Sequence, residues 1–201
     1  MGVRPELRQS GRVGRVMILS RLMVVVCAAC VWTTYMSSQE VSQEYQMKAM
    51  YLAKIPSFVE WPPRATSKKK TAFQLCTLGG YPFGPRLARE VGGVEVSGRQ
   101  IELRWVHKEE ELAGCDMVFL SRAEANHYGK ILDGLKGKSV LTVGETEGFL
   151  EAGGMVRIGF ENDRLQMEVN LAAVRNASLK MDARLLALAR RVVMERSVPG
   201  G

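Results

Sequence analysis

The stretch SVLTVGETEGFLEAGGMVRIGFENDRLQMEVN, residues 139–170, decides the fold that the sequence predicts. It holds three short apolar runs typical of strands, and a turn-rich segment with four glycines and three glutamates separates the first two. The second and third runs alternate apolar and polar residues, and Glu161-Asn162-Asp163 joins them, which indicates an antiparallel hairpin. Because ligands and partners bind beyond the strand ends of open α/β sheets, the turn-rich segment is the first candidate for a functional site.

Upstream of this stretch, strand-like runs alternate with helical patterns. Strands are predicted at residues 72–78, 101–106, 117–120 and 140–143, and helices at residues 43–61, 85–91 and 123–135, with a short helix opening at Glu109. Ser121 followed by Glu124 predicts a capping box at the last of these helices. The pattern predicts a single-domain α/β fold, with a mostly parallel Rossmann- or flavodoxin-like sheet flanked by helices and a C-terminal antiparallel hairpin.

Two further segments are predicted after the hairpin. The first is a short helical or turn segment at residues 170–177, and the second is a terminal helix at residues 182–194 with a broad apolar face. The glycine-rich segment GGYPFG, residues 79–84, has neither the Gly-Lys-Ser/Thr of a P-loop nor the GxGxxG of a dinucleotide fold. It is therefore predicted to be a tight strand-to-helix turn.

The first 38 residues have the composition of an export signal. Five arginines precede an apolar run of 11 residues, 22–32, which is too short to span a bilayer as a helix. We therefore predict a signal peptide at residues 1–38, one mature domain at residues 39–201, and a periplasmic location. The alternative is a lipoprotein, because Cys27-Ala-Ala-Cys30 forms a poor lipoprotein box in which Cys30 is acylated.

Charge and composition argue against several classes of function. The net charge of +7 divides into +4 in the first 38 residues and +3 in the remainder, which gives little support for nucleic-acid binding. His107 and His127 have no metal-ligand spacing, and no Gly-x-Ser-x-Gly motif occurs. The glutamates of the turn-rich segment can bind a divalent ion or act as acid and base, but loop carboxylates are usually solvated. We therefore predict no catalytic residue, metal or cofactor, and no enzyme.

If the protein is exported, its remaining cysteines lie in an oxidising compartment. If Cys27 and Cys30 leave with the signal, the mature chain keeps Cys76 and Cys115, and an even number in an oxidising compartment favours one disulfide. Two buried free thiols are the alternative. Cys76 lies late in one predicted strand and Cys115 just before another, and adjacent parallel strands can hold such positions too far apart for a bond.

Four stretches together resemble the YfiR family of secreted bacterial proteins: EYQMKAMYLAKIPSFVEWP, LCTLGGYPFG, LAGCDMVFLS and the segment from residue 139 to residue 190. The resemblance implies a periplasmic α/β protein that acts by binding. Members repress an inner-membrane diguanylate cyclase by contacting its periplasmic domain, which lowers cyclic-di-GMP and biofilm formation. An OmpA-like outer-membrane lipoprotein relieves the repression by sequestering them, and they commonly form homodimers.

The resemblance also implies roles for single residues. Cys76 and Cys115 match a pair that the family oxidises to a disulfide, whereas a second family pair falls around residues 149–156, where this chain has no cysteine. The partner-binding candidates, several of them near family positions linked to partner contact, are Phe149, Leu150, Glu151, Met155, Glu168 and Val174. Phe149, Leu150 and Met155 could expose an apolar patch beside the two glutamates. The alternative is that Phe149 and Met155 are core residues covering the sheet edge.

These inferences together predict a periplasmic regulatory binding protein that represses an inner-membrane diguanylate cyclase or sensor kinase. A second hypothesis is an exported module that binds a small molecule, such as a nucleotide or amino acid, in the crevice at the strand ends. An exported hydrolase is the third.

Overall fold

The computed structural model describes residues 42–63 and 72–194, together with Gly2. Apart from Gly2, the predicted signal peptide, with Cys27 and Cys30, lies outside these residues. Within the described part of the chain, no helix has both the length and the apolar character needed to cross a membrane.

Ten short strands and five α-helices make up the regular structure of the described residues. The strands are β1 (Val59–Glu60), β2 (Ala72–Leu78), β3 (Glu95–Val96), β4 (Arg99–Trp105), β5 (Met117–Leu120), β6 (Leu141–Gly144), β7 (Val156–Glu161), β8 (Arg164–Asn170), β9 (Lys180–Met181) and β10 (Arg191–Val193). The helices are α1 (Gln43–Lys54), α2 (Pro85–Val91), α3 (Tyr128–Gly134), α4 (Leu171–Asn176) and α5 (Ala183–Leu186), with 3₁₀ helices at Ile55–Phe58, Glu109–Gly114 and Arg122–His127.

Eight of the strands form one sheet, in the spatial order β10-β8-β7-β6-β5-β2-β4-β3. β2 pairs in parallel with both β4 and β5, and β6 and β7 continue the parallel series. β7 and β8 pair antiparallel across a two-residue turn in which Asn162 and Asp163 both have positive φ, 50° and 58°. The predicted mostly parallel sheet with a closing hairpin is therefore confirmed. β1 and β9 form a separate antiparallel pair.

Helices pack on both faces of the sheet and divide the core in two. One core layer holds α1, α2 and α4, with Leu52, Leu87 and Val174 buried against the sheet. The other holds α3 and the 3₁₀ helix Glu109–Gly114, with Ile131 and Leu112 buried. The chain moves outward from β2 to β4 and then returns to place β5 on the other side of β2. The strand order therefore reverses between β2 and β5, which is the switch point where such sheets open a crevice at their carboxyl edge.

The prediction of a terminal helix over residues 182–194 is wrong. α5 ends at Leu186, and the chain then forms β10, which pairs in parallel with β8. The Arg190 N–H donates to the Met167 carbonyl at 2.8 Å as the pairing begins. β8 would otherwise be an open edge, and the β-branched Val192 and Val193 favour a strand, so the edge hydrogen bonds override the helical apolar pattern.

Two predicted helices have other boundaries in the structure. α1 ends at Lys54, and Pro56 lies in the 3₁₀ helix that leads into β1. The helix expected over residues 123–135 is a 3₁₀ helix followed by α3. The Ser121 hydroxyl caps it by accepting from the Ala123 N–H, but the capping box does not close, because the Ser121 N–H donates to the Leu78 carbonyl.

Cys76 and Cys115 form a disulfide, with their Cα atoms 6.0 Å apart. Cys115 directly follows the 3₁₀ helix Glu109–Gly114, so the chain reaches it from the face of the sheet on which the Cys76 side chain lies. Both residues are fully buried in that core layer. Because the chain reaches Cys115 from the face of the sheet and not along a strand, the two cysteines lie close enough to bond. Their positions in the strands alone suggested a larger separation.

Candidate functional site

The carboxyl edge of the sheet is closed by charged side chains at β5 and β6. Glu145 follows β6 directly, and Arg122 follows β5 by two positions. Lys48 of α1 is fully buried, and its Nζ donates to Glu145 Oε2 and to Glu44 Oε1, each at 2.5 Å. The Arg122 backbone N–H donates to Glu145 Oε1 at 2.7 Å. Protein groups thus occupy this carboxylate and tie α1 to the strand ends.

The electrostatics of this cluster suit a structural role. Burial alone would raise the pKa of Glu145, but the hydrogen bond and charge of Lys48 outweigh it and hold that pKa below its usual range. Burial, with the nearby Glu145 charge, raises the pKa of Tyr45 to about 12. Near neutral pH Glu145 is therefore ionised and Tyr45 keeps its proton, donating to Glu145 at 3.3 Å. Neither group is poised to exchange a proton at that pH.

Four of the six predicted partner-binding residues lie in the core: Phe149, Leu150, Met155 and Val174, exposed by 0%, 2%, 7% and 0%. The prediction of an exposed apolar patch is therefore wrong, and the alternative, that Phe149 and Met155 are core residues, is confirmed. The Phe149 ring lies between Gly144 and Gly154, and a Cβ on either glycine would overlap it. The turn thus folds its aromatic residue inward, onto the second core layer.

The two acidic candidates lie in an ion-pair network on three adjacent strands. Pairing places Arg157 of β7 opposite Glu168 of β8, and Glu168 opposite Arg191 of β10. Glu168 accepts from Arg157 Nη1 at 3.1 Å and from Arg191 Nη2 at 2.7 Å. Although they are charged, Arg157 and Glu168 are only 8% and 7% exposed. Glu168 is thus the centre of a paired row that crosses the strands.

Exposed charges surround this buried pair. Arg191 Nη2 also donates to Glu151 at 3.1 Å, and Arg190 Nη1 donates to Glu161 at 2.7 Å. The side chains of Glu151, Arg190 and Arg191 are 56%, 55% and 47% exposed. They border a shallow depression of about 500 Å³. We call this surface the charged sheet face; it comprises Glu151, Arg157, Glu161, Glu168, Arg190 and Arg191.

The carboxylates at the rim of the charged sheet face stay ionised in mildly acidic solution. A hydrogen bond from Arg190 lowers the pKa of Glu161. The backbone N–H of Glu151 itself, followed by Arg191, lowers the pKa of Glu151. The surface therefore keeps alternating positive and negative charges at neutral pH.

This surface exists because the helical layer on that side of the sheet stops at β6. The core beneath that layer is built from β2, β5, α3 and the turn that carries Phe149. On β7 and β8 the same face carries Arg157, Glu161 and Glu168 instead. A Cβ at Gly159 would lie 2.8 Å from Arg157 Nη2, so the glycine gives the guanidinium room to lie flat along its own strand.

Sequence reasoning missed the arginines of the charged sheet face. Arg190 and Arg191 lie within the predicted terminal helix at residues 182–194, and no sequence motif marks Arg157. A usable signal was present for Arg157, because the two-residue turn fixes the hairpin register and that register sets Arg157 opposite Glu168. The role of the six predicted residues in partner contact stays a prediction.

The described residues show no grouping of three or more His, Cys, Asp or Glu side chains arranged to hold a metal ion. The carboxylates of the charged sheet face do not form such a group either, because arginines lie between them. What this arrangement offers chemically is paired charge for recognition.

Comparisons with known proteins bear on the family of the chain. A family model described as YfiR/HmsC-like matches residues 45–190. No curated protein gives a significant match. Among solved structures, an ABC domain in complex with L-Trp from Streptococcus pneumonia is 10% identical with a TM-score of 0.48, covering 72% of this chain and 60% of its own. A conserved domain protein from Vibrio cholerae O1 biovar El Tor is 9% identical with a TM-score of 0.47, covering 74% and 60%. The chain thus spans 60% of the length of each of these two structures.

Proposed function

Because the chain belongs to the YfiR/HmsC-like family, we propose that it is a periplasmic regulatory protein that acts by binding other proteins and not by catalysis. Its target is the periplasmic domain of an inner-membrane diguanylate cyclase or sensor kinase, which it represses. Residues 1–38 direct its export. Release from the target by an OmpA-like outer-membrane lipoprotein, and a homodimeric state, belong to the same proposal.

The observation that carries this proposal is the charged sheet face. Arginine is enriched in protein interfaces, and complementary charges give an interface its specificity and speed of association. The central pair, Arg157 with Glu168, is already ordered, so a partner need not immobilise it. The rim residues Glu151, Arg190 and Arg191 keep about half of their side-chain surface free for a partner.

Charge reversal at the rim tests the proposal. Arg190→Glu removes one exposed ion pair, with Glu161, and surface pairs contribute at most about 1 kcal/mol, so the variant should fold. Arg175→Glu is the matched control, because Arg175 is an exposed arginine on α4, outside the charged sheet face. Both variants are expressed with the export signal in a strain of the native host that lacks the wild-type gene.

The readouts are cellular cyclic-di-GMP and recovery of a diguanylate cyclase from solubilised membranes by the tagged mature chain, identified by mass spectrometry. Deletion should raise cyclic-di-GMP, and the wild type and Arg175→Glu should restore the low level and recover the cyclase. Arg190→Glu should do neither. If Arg190→Glu represses and binds as well as the control, the charged sheet face is not the interface; if deletion leaves cyclic-di-GMP unchanged, the repressor role is wrong.

A further inference from the structure

A crevice of about 330 Å³ lies at the carboxyl ends of β2 and β4, beside the switch point of the sheet. Thr77, Tyr81, Trp105, His107 and Glu124 are among the residues that line it. The neighbouring carboxyl edge, at β5 and β6, is occupied by the buried Lys48 side chain, whereas this part is open. Crevices at such switch points are where open α/β sheets hold small ligands.

The Thr77 side chain at this crevice has an unsatisfied hydroxyl. Thr77 is 2% exposed, and its Oγ1 is buried without a hydrogen-bond partner among the described residues. Buried hydroxyl groups are almost always hydrogen-bonded in folded proteins. A ligand atom in the crevice would supply the missing partner, and the hydroxyl can accept a hydrogen bond as well as donate one.

Glu124 brings a carboxylate to the same crevice. Its side chain is 23% exposed and lies so close to Gly79 that a Cβ there would overlap it. The one basic side chain within 4 Å of its carboxylate in the described ranges is the exposed ring of His127, whose Nδ1 is 3.5 Å from Glu124 Oε2. A carboxylate whose side chain is about three-quarters buried, with no cation bonded to it, favours a positively charged ligand. His107 is the other titratable residue of the lining.

Two aromatic rings form a corner of the crevice. Tyr81 and Trp105 meet edge to face, with ring centroids 3.9 Å apart and an interplanar angle of 79°. Trp105 is 56% exposed, so much of its indole is free to contact a ligand. Aromatic rings beside a carboxylate attract organic cations through the negative charge of their faces.

We propose that this crevice binds a small organic ammonium ion, an amine with net positive charge and without a carboxylate. Its N–H groups donate to Glu124 and to the Thr77 hydroxyl, and its hydrocarbon part lies against Trp105 and Tyr81. The site is separate from the charged sheet face and does not depend on the proposed partner. Zwitterionic amino acids bind more weakly, because their carboxylate meets the charge of Glu124.

Calorimetric titration of the mature protein with tyramine and with putrescine tests the proposal, with tyrosine and 4-hydroxyphenylpropionate as matched compounds that carry a carboxylate. At least one amine should bind and the two carboxylates should bind more weakly. Glu124→Gln should weaken amine binding roughly tenfold or more, since it removes a charge-assisted hydrogen bond. Thr77→Val should weaken it severalfold, and this isosteric variant keeps the fold because it removes only an unpaired hydroxyl.

Glu110→Gln is the control, because Glu110 is an exposed carboxylate on the 3₁₀ helix Glu109–Gly114, outside the crevice lining. It should bind amines like the wild type. The proposal is overturned if neither amine binds the folded wild type at millimolar concentration, if Glu124→Gln binds as tightly as Glu110→Gln, or if the carboxylate-bearing compounds bind as well as the amines.

Discussion

Replacing Lys48 by methionine should destabilise the protein strongly, because it breaks a fully buried ion pair. The side chains of Lys48 and Glu145 are both 0% exposed, and their polar atoms are 2.5 Å apart. Without the ammonium, Glu145 keeps the Arg122 backbone N–H at 2.7 Å, the Tyr45 hydroxyl at 3.3 Å and a distant guanidinium contact at 3.4 Å. Removing one partner of a buried pair typically costs about 3–5 kcal/mol. For a domain of this size, that corresponds to a fall in Tm of roughly 6–20 °C.

A second substitution separates the cost of the unpaired charge from lost packing. In the double variant Lys48→Met, Glu145→Gln, the buried charge is gone and the glutamine oxygen still accepts from Arg122. The double variant should therefore recover at least half of the stability lost by Lys48→Met alone, since replacing both partners of a buried pair is often close to neutral. Urea unfolding at pH 7 measures the unfolding free energies of the mature wild type, of Lys48→Met and of the double variant.

The pH dependence provides an independent check of the same pair. The pKa of Glu145 is lowered in the folded protein, so its contribution to stability is present above the ordinary carboxyl pKa and is lost as pH falls through the folded value. In Lys48→Met, the strongest influence that opposes burial is lost and the Arg122 contacts remain, so the pKa of Glu145 moves upward relative to the wild type. The difference in stability between wild type and variant should be largest at neutral pH and should narrow towards pH 4. A loss below about 1 kcal/mol at pH 7, or a difference independent of pH, would refute the reasoning.

Three further predictions concern packing and covalent structure. Phe149→Ala should lower the unfolding free energy by about 3–5 kcal/mol in urea, because the ring is fully buried; a change below about 1 kcal/mol would show that the ring is exposed. Thiol titration of the unfolded, non-reduced mature protein should find no free thiol, and reduction of Cys76–Cys115 should cost about 3–4 kcal/mol; two free thiols would exclude the bond. Gly159→Ala should destabilise by about 1–2 kcal/mol by displacing the Arg157 guanidinium; an unchanged urea midpoint would show that the guanidinium moves freely.

Most of the sheet could be predicted from the sequence, because its signals are local. The apolar runs at 72–78 and 117–120 became β2 and β5 with the predicted boundaries. The hairpin followed from Asn162-Asp163, since two residues at positive φ set the register of the strands on either side. Patterns of this kind depend on neighbours a few positions away, which the sequence displays directly.

β10 could not be predicted in the same way, because its cause is not local. The apolar residues after Asp182 fit a helical period, yet only Leu185 of that face is buried, and Leu188 is 69% exposed. What decides the structure is the free edge of β8, and that edge exists only once the whole sheet has formed. The spacing of apolar residues along the sequence carries no information about such an edge.

The direction of the turn between β6 and β7 was equally hidden. Phe149 in a glycine-rich turn suits an exposed contact as well as a core anchor. The space that draws it inward is created by the missing side chains of Gly144 and Gly154, on either side of its ring. Glycine in a turn usually indicates backbone freedom, and here the more important consequence is room for an aromatic ring.

The position of the charged sheet face can, however, be predicted from the difference in residue pattern between β5 and the hairpin strands β7 and β8. Every residue of β5 is apolar and buried, as in a strand with helices on both faces, whereas β7 and β8 carry the apolar Val156, Ile158 and Val169 on one face and the charged Arg157 and Glu168 on the other. That change from uniform to alternating marks the point at which the helical layer ends. A partner docking there would take the place of the missing layer, and the paired charges would make it choose a partner of complementary charge over any apolar surface.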